Sequence, residues 1–140
     1  ITDNLGLDTT PIPMQMFAAA DLDVYQNKLD DALQQLTVLG NIYPKGFLAD
    51  DILFAKANIY LQKHDYQTAA DLFKQVDDQY STDLLGDDAL FQLAQLYDLY
   101  LHNTDKASEL YKEILTKYKG SIYVIEARKR FRELRGDDLQ

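Results

Sequence analysis

Apolar residues recur along most of this chain at steps of three and four. Leu53, Ala57, Tyr60 and Leu61 make one such run, and Ala69, Phe73, Val76 and Tyr80 make the next. That spacing places each set on one face of an α-helix, whereas a strand would alternate with a period of two. A short polar stretch around His64-Asp65 separates the two runs, which predicts a helix A, a tight turn and a helix B.

The same unit is then written again. DDILFAKANIY (50–60) and DDALFQLAQLY (87–97) are near copies, and a shift of 37 or 38 residues aligns a whole ladder of positions. In helix A the rows are Phe17, Phe54 and Phe91; Ala20, Ala57 and Ala94; and Leu22, Ile59 and Leu96. In helix B they are Ala32, Ala69 and Ala107; Leu36, Phe73 and Tyr111; and Leu39, Val76 and Ile114, with Tyr43, Tyr80 and Tyr118 closing each unit. The third unit gains one residue around His102 and Asn103. A period of this length marks a repeat architecture, in which each hairpin buries against its neighbours a stripe it cannot bury alone. Small residues such as Ala57 and Ala69 let the helices approach closely, and Phe73 fills the space left between layers.

The turns fit this picture. Asn27-Lys28, His64-Asp65 and His102-Asn103 are expected to end helix A, because Asn and His tolerate a left-handed backbone. YPKG (43–46), YSTD (80–83) and YKGS (118–121) link the units, with Pro44 or Gly120 stopping helix B. Asp-Asp at 50–51 and 87–88 suits helix starts, where negative charge meets the dipole and can cap free N–H groups. Neighbouring residues on a helix point about 100° apart, which argues against a two-carboxylate site.

The small-and-aromatic pattern of Ala57, Tyr60, Ala69, Phe73 and Val76 resembles the tetratricopeptide repeat (TPR), whose usual period is about 34 residues. The extra residues here lie mostly between helix B and the next helix A. Y-P-x-G/S, then D-D-A, then A-x-x-Y looks like a bacterial envelope subtype. That subtype includes the TPR lipoprotein of the outer-membrane barrel-assembly machinery and the periplasmic TPR coordinator of the Tol–Pal system. KYKGSIYVIEARKRFRELRGD (117–137) is similar to the C-terminus of long TPR proteins from Bacteroides-like bacteria. Ser81 and Lys119 depart from the pattern where Pro44 keeps it, and Asp23 stands where the other units carry tyrosine.

The resemblance implies an all-α, TPR-type α-solenoid of about seven helices over residues 14–136. Its three helix-turn-helix repeats cover about 14–49, 50–86 and 87–124. A C-terminal capping helix over 121–135 aligns with another helix A through Ala127, Phe131 and Leu134. Residues 1–13, with Pro11 and Pro13 and no helical period, are expected to form an extended linker from a preceding repeat, and 137–140 a tail. The resemblance also implies a C-terminal segment of a larger cell-envelope protein, periplasmic or outer-membrane-associated, whose targeting segment lies upstream.

Charge and composition narrow the function. The net charge is −9, and residues 1–120 hold 9 basic against 19 acidic side chains. Such a body repels nucleic-acid phosphates and anionic membrane surfaces. No apolar run approaches the roughly 20 residues of a bilayer span, so no direct membrane insertion is expected in this segment. The absence of cysteine removes disulfides and thiolate chemistry. His64 and His102 sit at turns, no phosphate-cradling glycine loop or nucleophile elbow is present, and no metal-ligand set is spaced for binding. The expectation is a non-enzyme with no catalytic residues, cofactor or metal.

What remains is surface. In the superhelix that the resemblance implies, helix A residues beside the packing stripe line a concave groove. They are Phe17, Asp21 and Val24 in the first unit, and Phe54, Asn58, Leu61 and Gln62 in the second. In the third they are Phe91, Gln95, Asp98 and Leu99. A repeated aromatic beside amides suits a peptide or helix, with apolar anchors for affinity and amides for orientation. The competing reading is that these phenylalanines pack between adjacent A helices. A clamp for a C-terminal carboxylate is disfavoured, since Phe54 occupies the position where such domains carry lysine. A second candidate is the basic cluster Arg128, Lys129, Arg130, Arg132 and Arg135, which suits an acidic partner or simply a solvated helix face. The leading expectation is a protein-binding scaffold. The alternative is an architectural or self-association module that uses the ends of the array.

Overall fold

The computed structural model describes residues 11–45, 48–80 and 85–136. Among them seven α-helices follow one another: α1 (Ile12–Tyr25), α2 (Leu29–Ile42), α3 (Ala49–Gln62), α4 (Tyr66–Tyr80), α5 (Gly86–Gln95), α6 (Thr104–Lys117) and α7 (Val124–Arg135). A π-helical segment, Leu96–Tyr100, extends α5. The all-α expectation is met, and no strand occurs among the described residues. Contacts divide the chain into residues 1–52 and 53–140, with the division inside α3.

In the first unit α1 and α2 form an antiparallel hairpin around Ala20, Ala32, Leu36 and Leu39, each at most 1% exposed. Helix α1 begins at Ile12, so residues 12 and 13 belong to the helix rather than to the linker expected over 1–13. Proline is tolerated there because the first helical N–H groups have no intrahelical acceptor. Residues 1–10, the rest of that expected linker, lie outside the described residues, as do Gly46 and 81–83 of the inter-unit stretches and the tail 137–140.

The turn residues behave as their chemistry predicts. Asn27, His64 and His102 take positive φ, at 62°, 64° and 53°. Lys28 N–H reaches back to the Asp23 carbonyl at 2.7 Å and Asp65 N–H to Tyr60 at 2.9 Å, while Asn27 and His64 bond to Val24 and Leu61. This paired arrangement satisfies the last carbonyls of helix A. The residue after the left-handed one then starts helix B, because the Asn103 side chain accepts from Lys106 N–H at 3.1 Å and caps α6.

Pro44 proves unnecessary for ending helix B. Tyr43 leaves α2 at φ −124°, ψ 63°, and Tyr118 leaves α6 at −125°, 58°, although Lys119 follows the latter. The equivalent tyrosine, and not the proline, marks the exit.

Within residues 53–140 the core runs through Ala57, Ala69, Phe73, Val76, Leu90, Leu93, Ala94, Ala107, Tyr111, Ile114 and Ala127. The alanine rows are at most 1% exposed, as close helix approach requires. Phe73, also 0% exposed, meets Phe54 edge-on at 5.6 Å. Helix α7 packs on α6 through Ala127 and spans 124–135, three residues shorter than the capping helix expected from 121. It ends at Gly136, whose φ of 86° only glycine adopts without strain.

The Asp-Asp pair of the third unit does something other than cap. Leu85 occupies the cap position of α5 and no side chain caps it. Asp87 instead accepts from Ser121 Oγ at 2.6 Å, and Ser121 Oγ accepts from Tyr123 N–H at 3.0 Å. The carboxylate thus fixes the loop that leads into α7.

Candidate functional site

The extra residue of the third unit lies just before the turn, inside the π-helical segment. Leu101 N–H bonds to the Leu96 carbonyl five residues back, at 2.8 Å, and Asn103 N–H reaches six back to Tyr97 at 2.9 Å. In the second unit the corresponding Asp65 N–H reaches only five back, to Tyr60. One residue is therefore absorbed by widening the helix instead of lengthening the loop.

At this widened turn Asp98 points inward, its side chain 2% exposed. Arg130 of α7 grips both of its oxygens, Nε at 2.7 Å and Nη2 at 2.9 Å, and Tyr111 Oη donates at 3.0 Å. The Arg130 hydrogen bonds, outweighing the cost of burial, hold the Asp98 carboxyl below the usual carboxylate range, and Tyr111 reinforces them. Burial and the neighbouring carboxylate push the Tyr111 hydroxyl well above its ordinary value. Asp98 thus cannot serve the groove position expected for it, because all of its strong acceptors are turned to the scaffold. Arg130 leaves the basic cluster for the same reason.

A second buried carboxylate repeats the device. Asp77 on α4, 1% exposed, accepts from Lys117 Nζ at 2.8 Å and Tyr118 Oη at 2.9 Å. Together these two sites tie α4 to the end of α6, and α5 with its π-helical extension to α6 and α7. Neither pairing was foreseen from the sequence. The available signals were a hydroxyl, Tyr111, in the row of Leu36 and Phe73, and Arg130 in the row of Tyr60 and Tyr97.

The remaining groove residues fall into two groups. Phe54 is half-buried against Phe73. Phe91 is 7% exposed, edge-on to Tyr111 and stacked on Tyr123 at 4.4 Å. Phe91 is therefore a packing residue and offers no anchor to a partner, whereas Phe54 packs on Phe73 and stays half-buried. By contrast Asn58, Leu61 and Gln95 are half-buried, while Gln62 and Leu99 are exposed. Asn58 Nδ2 donates to the Phe54 carbonyl at 3.1 Å, which sets the amide's direction. In the first unit Phe17 is half-buried and Asp21 exposed.

On α7 the basic cluster is split by the helix. Arg130 faces inward, and Arg135 lies over the Phe131 ring at 5.0 Å. Arg128, Lys129 and Arg132 are exposed and, with Ile125, line a shallow outer concavity. His64 and His102 are exposed turn residues, and His64 stacks on Tyr66, which stacks in turn on Tyr100. No group of three potential metal ligands, and no helix long and apolar enough to cross a membrane, occurs among the described residues.

Comparison with known proteins agrees with this geometry. Residues 88–121 match the tetratricopeptide repeat family model. No curated protein sequence matches the chain. Among solved structures, a tetratricopeptide repeat protein from Parabacteroides merdae superimposes with a TM-score of 0.70 at 19% identity, over 91% of this chain and 48% of that one. A point variant of a Podosopora anserina putative kinesin light chain with nearly identical TPR-like repeats gives 0.64 at 14% identity, over 94% and 77%. The chain spans about half the length of the Parabacteroides protein. At these identities the likeness is one of fold: the protein has the all-α TPR fold. Repeats of this kind generally mediate protein–protein interactions and are generally non-catalytic.

Proposed function

We propose that this chain is a non-catalytic protein-binding scaffold, the C-terminal TPR segment of a larger cell-envelope protein, and that it takes a peptide or helix on its helix A face. The observation that supports this most is the pair of equivalent amides Asn58 and Gln95, both half-exposed, each followed one turn later by an exposed side chain, Gln62 or Leu99. Amides that repeat at the scaffold period suit the repeating polar groups of a peptide backbone, and Leu61 and Leu99 supply apolar contact. The mechanism is preorganisation: packed helices pay little ordering cost, so contact energy is retained as affinity. The periplasmic or outer-membrane setting rests on the resemblance of the Y-P-x-G and D-D-A stretches and of the closing segment.

A photo-crosslinker at Gln62 in the full-length protein, in its own cell, tests the reading. A discrete protein adduct that disappears in Gln95→Ala/Leu99→Ala, with the helical circular dichroism unchanged, is expected. An adduct indifferent to that double substitution rules out the helix A face. Self-association is the second reading, favoured by Leu22 and Tyr25 on α1, which are 54% and 89% exposed where Ile59 and Leu96 in the row of Leu22 are buried. Sedimentation that shows concentration-dependent assembly, abolished by Leu22→Asp, would select it.

A further inference from the structure

The outer face of α7 carries a feature that neither packing nor helix electrostatics explains. Ile125, Arg128, Lys129 and Arg132 stand at i, i+3, i+4 and i+7, which is one face of the helix. Ile125 is 77% exposed, and Ile122 in the preceding turn is 85% exposed. The structure pairs none of the three cations with a carboxylate among the described residues, although the chain as a whole carries an excess of nine negative charges. Arg130, by contrast, is fully committed to Asp98 and Glu133.

The ordinary explanation for cations on such a helix is its C-terminal dipole. That accounts for Arg132 and Arg135, which lie in the last turn. It does not account for Arg128 and Lys129, since the dipole effect fades within one turn of the end. Solubility does not account for the isoleucines, which would be better replaced by polar residues. Exposed Ile125 beside three cations that no described carboxylate pairs, on one shallow concave face with Ile122 exposed nearby in the lead-in, instead resembles an interface rim with an apolar anchor point.

We infer that the outer face of α7 is a second docking site, separate from the helix A face, for an acidic peptide segment of a protein partner. The segment offers an aliphatic or aromatic side chain to Ile122 and Ile125. Its carboxylates, at helical spacing, meet Arg128, Lys129 and Arg132. Guanidinium groups at 128 and 132 grip carboxylates through paired N–H donors, which favours a carboxylate ladder over a diffuse negative charge.

The test uses the 140-residue chain and a fluorescein-labelled helical peptide bearing one leucine followed by three glutamates at i+3, i+4 and i+7. A control peptide replaces the glutamates with glutamine. Fluorescence anisotropy at low salt is expected to show saturable binding of the glutamate peptide, weakened about tenfold or more by Arg128→Ala/Lys129→Ala/Arg132→Ala. Raising the salt to several hundred millimolar is expected to weaken it comparably, and Ile125→Ala by about threefold to tenfold. These residues are exposed, so circular dichroism is expected to stay unchanged. Equal binding of both peptides, or no effect of the triple substitution, overturns the proposal. So does salt-sensitive dimerisation in sedimentation that the triple substitution abolishes, which assigns the face to a second copy. Binding of the chain to phosphatidylglycerol vesicles, but not to the peptide, overturns it in favour of an anionic surface. A tenfold gain in peptide affinity on removing residues 137–140 assigns the face to the chain's own tail. Failure at Gln62 or Gln95 leaves this site standing, because its readout depends on α7 alone.

Discussion

An aspartate whose side chain is 2% exposed can keep its charge only if that charge is matched by its surroundings. Asp98 meets this condition with Arg130 on two oxygens and Tyr111 on one. Replacing the carboxylate by an amide keeps one acceptor oxygen, removes the charge that Arg130 pairs with, and sets an NH2 donor against a donor of Arg130 or Tyr111. Asp98→Asn is therefore expected to cost about 2–3 kcal/mol at pH 7, the lower side of buried-pair values, because Arg130 keeps part of its side chain in water. The pH dependence has a definite sign. The folded Asp98 pKa lies below its ordinary 3.8, so the contribution is complete above that value and is lost as pH falls through the folded-state pKa. Urea titrations at pH 7 and near pH 3 are expected to show the gap between parent and variant shrinking in acid. A constant gap would place the stabilisation elsewhere. Tyr111 and Arg130 were both visible in the sequence as polar departures from apolar or aromatic rows. Asp98 departs in the same way from the row of Leu61 and Val24, but that row also lines the expected groove, so a surface role accounted for its charge.

At the level of single elements, the informative comparison is between α3 and α5 with its π-helical extension. Both start from near-identical sequences and end at a left-handed histidine, yet α5 needs one more residue to arrive there. That residue is accommodated by i−5 and i−6 hydrogen bonds without a break in the chain's direction. Deleting Leu99, which is 53% exposed, would return the third unit to the register of the second. We expect the deletion to keep the helical circular dichroism and to cost less than about 2 kcal/mol, mainly for altered packing of Tyr100 and Leu101. Deleting Gln62 removes a residue from a helix with none to spare, rotates the turn by about 100° and is expected to cost several times more. Thermal melts of the two deletions decide the matter: similar losses would mean that the widened turn is not a spare residue. The 37-to-38 step in the repeat announced an insertion. Whether a helix or a loop absorbed it depended on the backbone hydrogen bonds available at that end.

For the molecule as a whole, helix α7 is where stability and binding meet. Its inner face supplies Ala127 to the core and Arg130 to Asp98, and its lead-in supplies Tyr123 to Phe91 and Ser121 to Asp87. A chain ending at Gly120 loses all four and leaves Asp98 buried without its cation. It is expected to lose cooperative thermal unfolding and to aggregate, whereas Arg130→Met alone lowers the melting temperature but preserves a single transition. Matching melts for the two would show α7 to be dispensable. The all-α class, the hairpin repeat, the positive-φ turns and the alanine rows were determined by the sequence alone, because each follows from local preference or from a periodicity that one helix imposes on itself. The tertiary structure alone decided which aromatics are packing and which amides remain on the surface, and it turned Arg130 of α7 inward while leaving Arg128, Lys129 and Arg132 as an outer stripe. Those outcomes depend on which side chains from separate helices share a space, and residues at equivalent repeat positions meet different neighbours.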